Sequence, residues 1–313
     1  MSGILVIRGG AIGDFILTLP AIGLLRENFG ALPLEILGYR HIVALAEGRH
    51  YATAARSIEY AGLASFFVPG GKLPEDLSAY FSQFGQVISY LYDPDGFFED
   101  NLRRAGVRHL ISAYTVIGPH THASHQLARP LEQLALYLEP GGEQAVVHPS
   151  AEDRAAAREL LGEGAGVPLV AIHPGSGGKH KLWPLEHWGA VLAYLASHPA
   201  RPRVLLIGGE ADEERFRVLA GSGFPAHRLI PARHRPLPQL AALLERATLF
   251  LGHDSGISHL AAAVGAPSLL LFGPTQRRVW APAGPHVEVL EAPGGDLALL
   301  PVEALLVEIE ARL

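Results

Sequence analysis

The sequence contains no cysteine in 313 residues. Structural disulfides, cysteine-ligated zinc, iron–sulfur clusters and thiol nucleophiles are thereby excluded. Lysine is almost missing: Lys72, Lys179 and Lys181 are the only three, and the other 22 of the 25 basic residues are arginine. Each lysine position is therefore informative. Charged residues make up only 18% of the chain, the formal net charge is −6, and no run of Lys or Arg occurs. This balance argues against a nucleic-acid partner. Long apolar runs are also lacking. The longest are strand-sized, such as Ser268–Phe272, whereas a membrane-spanning helix needs about 20 apolar residues. From Met1 the chain runs into a predicted strand at Ile4 with no basic leader or cleavage site, so a cytoplasmic location is expected.

Hydrophobic residues and glycine are abundant, at 49% and 35 residues. Such a chain can bury a large core, and its length suits two domains of about 150 residues. Short apolar runs alternate with longer amphipathic ones. Ile4–Ile7, Leu34–Leu37, Val87–Tyr92, Leu169–His173, Val204–Ile207, Leu249–Leu251 and Ser268–Phe272 read as strands. Phe15–Phe29, Pro130–Leu138 and Ala151–Leu161 read as helices, and Pro301–Leu313 as a terminal one. Buried parallel strands separated by helices define an α/β architecture wound as βαβ units. Turn-rich chemistry across 139–168 marks a linker, giving domains 1–150 and 151–296 and a final segment 297–313. A strand, glycine loop and helix open each half, which suggests two Rossmann-like domains.

Several loops carry candidate chemistry. Arg8-Gly-Gly-Ala-Ile-Gly-Asp14 lies between a strand and a helix, with Gly10 and Gly13 permitting close backbone approach. It is not the dinucleotide fingerprint. Asp14 has two readings: a helix N-cap, or a carboxylate at the ligand-binding edge of an open sheet. His173-Pro-Gly-Ser-Gly-Gly-Lys-His-Lys-Leu-Trp-Pro184 has no acidic residue and holds two of the three lysines, Lys179 and Lys181; with the N–H groups of Gly175, Gly177 and Gly178 they suit it to phosphate, the alternative being an exposed glycine-rich loop with solvated lysines. Trp183 and Trp188 are expected to close this loop and pack the next helix. In Gly252-His-Asp-Ser-Gly-Ile-Ser-His259, either Asp254 or Ser255 caps a helix whose N–H groups, from Ser255, Gly256 and Ile257, would face an anion. His259 is either structural or chemical. Glu210, in Gly208–Glu214, either accepts ribose hydroxyls or belongs to an acidic helix start. Phe272–Thr275 is a turn that could close over a nucleotide. His120, His122 and His125 lack an evident acidic or cysteine partner and are expected to form a plain loop rather than a metal site.

Taken together, Ile7–Asp14, His173–Ser176 with Lys181–Pro184, Asp254–Ala262 and Leu271–Thr275 resemble glycosyltransferase family 9, the ADP-heptose:lipopolysaccharide heptosyltransferases. The resemblance spans nearly the whole chain in the family's order. It implies a GT-B fold: two Rossmann-like domains facing across a cleft, with a C-terminal helix crossing back to the first. It implies inverting, metal-independent transfer from a nucleotide-diphosphate sugar, without a cofactor. The general base would be Asp14, and the diphosphate contact Lys181. Donor phosphates and sugar would fall to Ser176, Asp254, Ser255, Gly256, Ile257 and His259, and ribose to Glu210. The N-terminal domain, through the loop with Gly10 and Gly13, would hold a glycan or glycolipid acceptor at the inner membrane face. Ser255 and Ile257 stand where the family has threonine and leucine, which leaves the backbone donors unchanged. The role of Arg277-Arg278 is unassigned. The competing readings are a transferase or epimerase for another nucleotide sugar, and a non-catalytic nucleotide-sugar-binding protein.

Overall fold

The computed structural model describes residues 3–162 and 166–313. Two compact units divide between Glu143 and Gln144. The first carries a five-stranded sheet: β1 (Ile4–Arg8), β2 (Leu34–Gly38), β3 (Ala54–Ser57), β4 (Gln86–Ser89) and β5 (Leu110–Ser112), in the order β3-β2-β1-β4-β5. The second carries six: β6 (Leu169–His173), β7 (Arg203–Gly208), β8 (Leu229–Arg233), β9 (Leu249–His253), β10 (Ser268–Phe272) and β11 (Val287–Glu291), in the order β11-β10-β9-β6-β7-β8. Every pairing is parallel. All five residues of β6, β9 and β10 are buried, as expected of central parallel strands covered on both faces.

Strand order fixes where a ligand can reach each sheet. In the first unit the winding reverses between β1 and β4; in the second it reverses between β6 and β9. Loops leaving the carboxyl ends of such strand pairs diverge and open a crevice. The loop with Asp14 follows β1. Those with Lys181 and Asp254 follow β6 and β9. Each candidate loop therefore sits at the switch point of its own unit.

The structure corrects several boundaries. Residues 144–150 belong to the second unit, because the Val147 N–H donates to the Ala263 carbonyl at 2.8 Å. The division falls inside the predicted linker 139–168, of which 163–165 lies outside the described residues. The helix Ala151–Leu161 is found as predicted, with Ser150 accepting the Asp153 N–H at 3.1 Å and Asp153 answering the Ser150 N–H at 2.7 Å. The predicted helix Pro130–Leu138 is instead a helix at Ala123–Ala128 followed by a 3₁₀ segment, Arg129–Leu134. The terminal helix, Val302–Glu310, packs onto the second unit. Its buried Leu305 and Ile309 join Trp188, Val191 and Leu195 in that unit's core. The Trp183 indole N–H donates to the Leu300 carbonyl at 3.0 Å just before it. Among the described residues no helix is long and apolar enough to cross a membrane.

Candidate functional site

In the first unit the helix after β1 spans Ile12–Asn28, and its N-cap is Ala11, which has no side chain to cap with. Asp14 is therefore not the cap. It lies one turn in and reaches back, its Oδ2 accepting the Ala11 N–H at 2.8 Å. Gly13 accordingly lies within the first helical turn, while Gly10 stays in the loop. Gly10 has φ +90°, and a Cβ there would come within 2.8 Å of the Asp14 carboxylate. Only glycine suits both demands.

Beside this carboxylate lies Arg8. Its guanidinium donates to Thr18 Oγ1 at 2.9 Å and to the Asp14 carbonyl at 3.1 Å, and stands 3.8 Å from Asp14 Oδ1. It also lies 5.8 Å from the Tyr90 ring centroid. Burial lowers the Arg8 pKa, and the Asp14 charge opposes that shift. The Asp14 side chain remains 43% exposed, so a substrate can reach it.

In the second unit the loops after β6 and β9 are laced together. Lys181 Nζ lies 2.7 Å from Asp254 Oδ2, and the Ser176 hydroxyl donates to the Asp254 carbonyl at 2.8 Å. Lys179 is exposed, whereas Lys181 is half-buried. Ser255 is the N-cap of the helix Gly256–Ala263, its Oγ accepting the Ser258 N–H at 3.3 Å. The first-turn N–H groups of Gly256 and Ile257 have no intrahelical partner. They and the helix dipole favour an anion at this end. His259, on the same turn, is buried.

Supporting residues beneath these loops were not visible in the sequence. His253 is fully buried at the end of β9. Its Nε2 accepts the Trp183 N–H at 2.9 Å, so the ring proton is on Nδ1, which faces the Gly175 carbonyl at 3.2 Å. Burial pushes its pKa down to about 3, so it is neutral at ordinary pH. His173 joins Asp212 at 3.2 Å and Ser255 Oγ at 3.4 Å. This Ser-His-Asp line is not a nucleophilic triad, because the Ser255 oxygen already serves the helix start. Gly175 is required here, since a Cβ would collide with the Asp212 carboxylate at about 2 Å. Arg215 donates to the carbonyls of Pro174 at 2.8 Å and Trp183 at 2.6 Å, clasping both ends of the Lys181 loop. No local pattern marks Arg215; it is one arginine on an ordinary amphipathic helix, Glu213–Ala220. Trp183 and Trp188 are fully buried, edge to face at 5.2 Å, and close the loop as expected.

Other expectations resolve differently. Glu210 falls in a 3₁₀ turn, Glu210–Asp212, directly after β7 and Gly209. The histidine tract is not a plain loop. His122 caps the helix Ala123–Ala128 through the Ser124 N–H, and His125 does have an acidic partner, Glu143, at 2.7 Å. Sequence distance hid that partner. Arg277 pairs with Glu291 at 3.5 Å.

The chain thus folds as two parallel-sheet units, each with its candidate loops at the switch point, and known proteins share that fold. The fold matches the Escherichia coli heptosyltransferase WaaC solved with ADP-2-deoxy-2-fluoro heptose, with TM-score 0.69, 21% identity and 99% of each chain covered. The chain is 25% identical over 293 residues to lipopolysaccharide heptosyltransferase 3 of Escherichia coli, covering 86% of this chain and 83% of that one. It is 34% identical over 125 residues to lipopolysaccharide heptosyltransferase 1 of Escherichia coli O18:K1:H7, a match covering 40% of this chain and 37% of that relative. The family model for glycosyltransferase family 9 (heptosyltransferase) matches residues 110–296. The chain belongs to that family, and is a glycosyltransferase.

Proposed function

We propose that the chain transfers heptose, with inversion, from ADP-heptose to a hydroxyl of a lipopolysaccharide-core or related cell-surface glycan. The observation that carries this reading is the Lys181–Asp254 pair, 2.7 Å apart, set at the β6/β9 switch point beside the start of the helix Gly256–Ala263. A cation and a helix N-terminus converging there suit a diphosphate. The names of the relatives and the donor analogue bound to WaaC support a heptose donor and a lipopolysaccharide acceptor.

The chemistry follows from the groups present. The acceptor oxygen attacks the anomeric carbon from the face opposite the diphosphate. Its proton passes to the Asp14 carboxylate, the new C–O bond forms, and the bond to the diphosphate oxygen breaks. The leaving diphosphate takes the electron pair and gains negative charge. Lys181 and the N–H groups of Ser255, Gly256 and Ile257 stabilise that charge without a metal ion. Asp254 holds the Lys181 ammonium in place, and Ser176 holds the Asp254 backbone. His259 contacts the sugar or phosphate, and Glu210 the ribose. One carboxylate suffices because inversion needs no covalent intermediate. The acceptor is a glycolipid met at the inner membrane face.

A thermal-shift panel of nucleotide sugars, followed by transfer assays with the strongest binder, tests this. ADP-heptose should give the largest shift and support transfer to core oligosaccharide. A larger shift with a uridine or guanosine diphosphate sugar would move the donor assignment. Product formed from donor with no acceptor present would favour an epimerase.

A further inference from the structure

The rim of the first sheet carries an aromatic feature that the chemistry above does not use. Tyr92 and Tyr114 are 67% and 44% exposed, although their rings lie only 4.9 Å apart, tilted by 54°. Two large aromatics held together in solvent contribute nothing to a core. They follow β4 and β5, at the same carboxyl edge from which β1 leads to Asp14.

Local contacts bring the pair towards that carboxylate. Beyond β4 the chain continues beside β1, with the Tyr90 N–H donating to the Ile7 carbonyl at 2.9 Å. Leu91 packs on the Asp14 loop so closely that a Cβ on Gly9 would be 3.0 Å from it. Tyr92 is the next residue. The segment between β5 and Tyr114 is tied in by the Ala113 N–H, which donates to the Ser89 carbonyl at 2.7 Å. The loops that follow β1, β4 and β5 thus carry an exposed carboxylate and two exposed phenols at one edge of the same sheet.

We propose that Tyr92 and Tyr114 form a platform that receives a sugar ring of the glycan acceptor and presents its hydroxyl towards Asp14. The proposal rests on the reading of the first unit as the acceptor side. A pyranose has one face of C–H groups with slight positive charge, which packs on the negative face of an aromatic ring. Its hydroxyls can bond the phenol oxygens at the ring edges. An adenine would also stack on tyrosine, but the phosphate-suited loops are in the other unit, so a sugar is the fitting occupant.

The test uses the full chain with two probes in titration calorimetry: ADP, and a heptose-free lipopolysaccharide core oligosaccharide. Tyr92→Ala with Tyr114→Ala should weaken oligosaccharide binding about ten-fold, a loss typical of removed aromatic contacts. ADP affinity and melting temperature should not change. Tyr92→Phe with Tyr114→Phe keeps the ring faces and should bind the oligosaccharide nearly as wild type. Each single alanine variant, read alone, should give a smaller loss in the same direction. Unchanged oligosaccharide affinity in the double alanine variant would overturn the platform while leaving the acceptor class standing. Equal weakening of ADP would assign the tyrosines to the nucleotide instead and also overturn it. Wild-type protein that binds ADP but not the oligosaccharide would overturn the acceptor class, and the platform with it.

Discussion

The Asp14 carboxylate accepts the backbone N–H of Ala11 at 2.8 Å and stands 3.8 Å from the Arg8 guanidinium. One group thus answers the start of a helix and faces solvent at the sheet's ligand-binding edge. The structural contact leaves the carboxylate open to a substrate, and a single substitution separates the structural role from the proposed catalytic one.

Asparagine at this position keeps an oxygen for the Ala11 N–H but cannot accept a proton. Asp14→Asn should therefore cost about 1 kcal/mol of stability or less. Transfer should fall by about 10²–10⁴-fold, the usual weight of a general base. Donor affinity, measured with ADP, should stay unchanged because the phosphate-suited loops lie in the other unit. Near-normal turnover would move the base elsewhere.

The two loop lysines provide an internal control. Lys181 is half-buried against Asp254, while Lys179 is exposed. Lys181→Ala should raise the transfer barrier by about 2–3 kcal/mol, as for loss of a positioned electrostatic donor. Lys179→Ala should matter much less. Donor titrations and single-turnover rates check both; equal, small effects would remove the diphosphate assignment.

Metal independence is open to a direct trial. If Lys181 and the helix N-terminus at Gly256 neutralise the leaving group, transfer should persist in excess chelator. Activity lost in chelator and restored by magnesium or manganese would show that a cation does this work.

His253 gives a pH dependence with a definite sign. Its folded pKa, about 3, lies below the ordinary 6.5. Above pH 6.5 both folded and unfolded forms are neutral, and the Trp183–His253 bond contributes fully. As the pH falls below 6.5 the unfolded chain takes up a proton that the folded one refuses, so stability is lost. Between pH 7 and 5 the second unit should lose about 2 kcal/mol from this group. His253→Gln keeps an acceptor for Trp183 and should flatten that part of the profile. Melting curves across the pH range, wild type against variant, measure the difference.

Much of the fold was legible because it is written in short stretches of chain. Leu169–His173 and Ser268–Phe272 match their predicted strands residue for residue, since a run of four apolar residues with one polar end, set between turns, has few other uses. Ala151–Leu161 was equally plain as the stretch between two turn-rich segments. The edge strands were not. Ala54–Ser57 and Val287–Glu291 are only partly buried and mix polar with apolar residues, so the neighbouring strand, not the local pattern, makes them strands. Tyr90–Tyr92 was read as the end of a strand, but β4 ends at Ser89; Tyr90 stays buried while Tyr92 faces solvent.

The sequence by itself determined the alternation of strand and helix, the glycine loops, and the set of residues able to meet a diphosphate or accept a proton, because these depend on backbone preferences and side-chain chemistry within a few residues. Only the tertiary structure decided which of them work together. Lys181 finds Asp254 across 73 positions, Trp183 finds His253 across 70, and Arg215 reaches back 41 and 32 to clasp the loop between them. The terminal helix likewise joined the second unit because the surface that buries Leu305 and Ile309 is built there. Parallel sheets bring strands distant in sequence into register, and no local pattern encodes which carboxyl ends become neighbours.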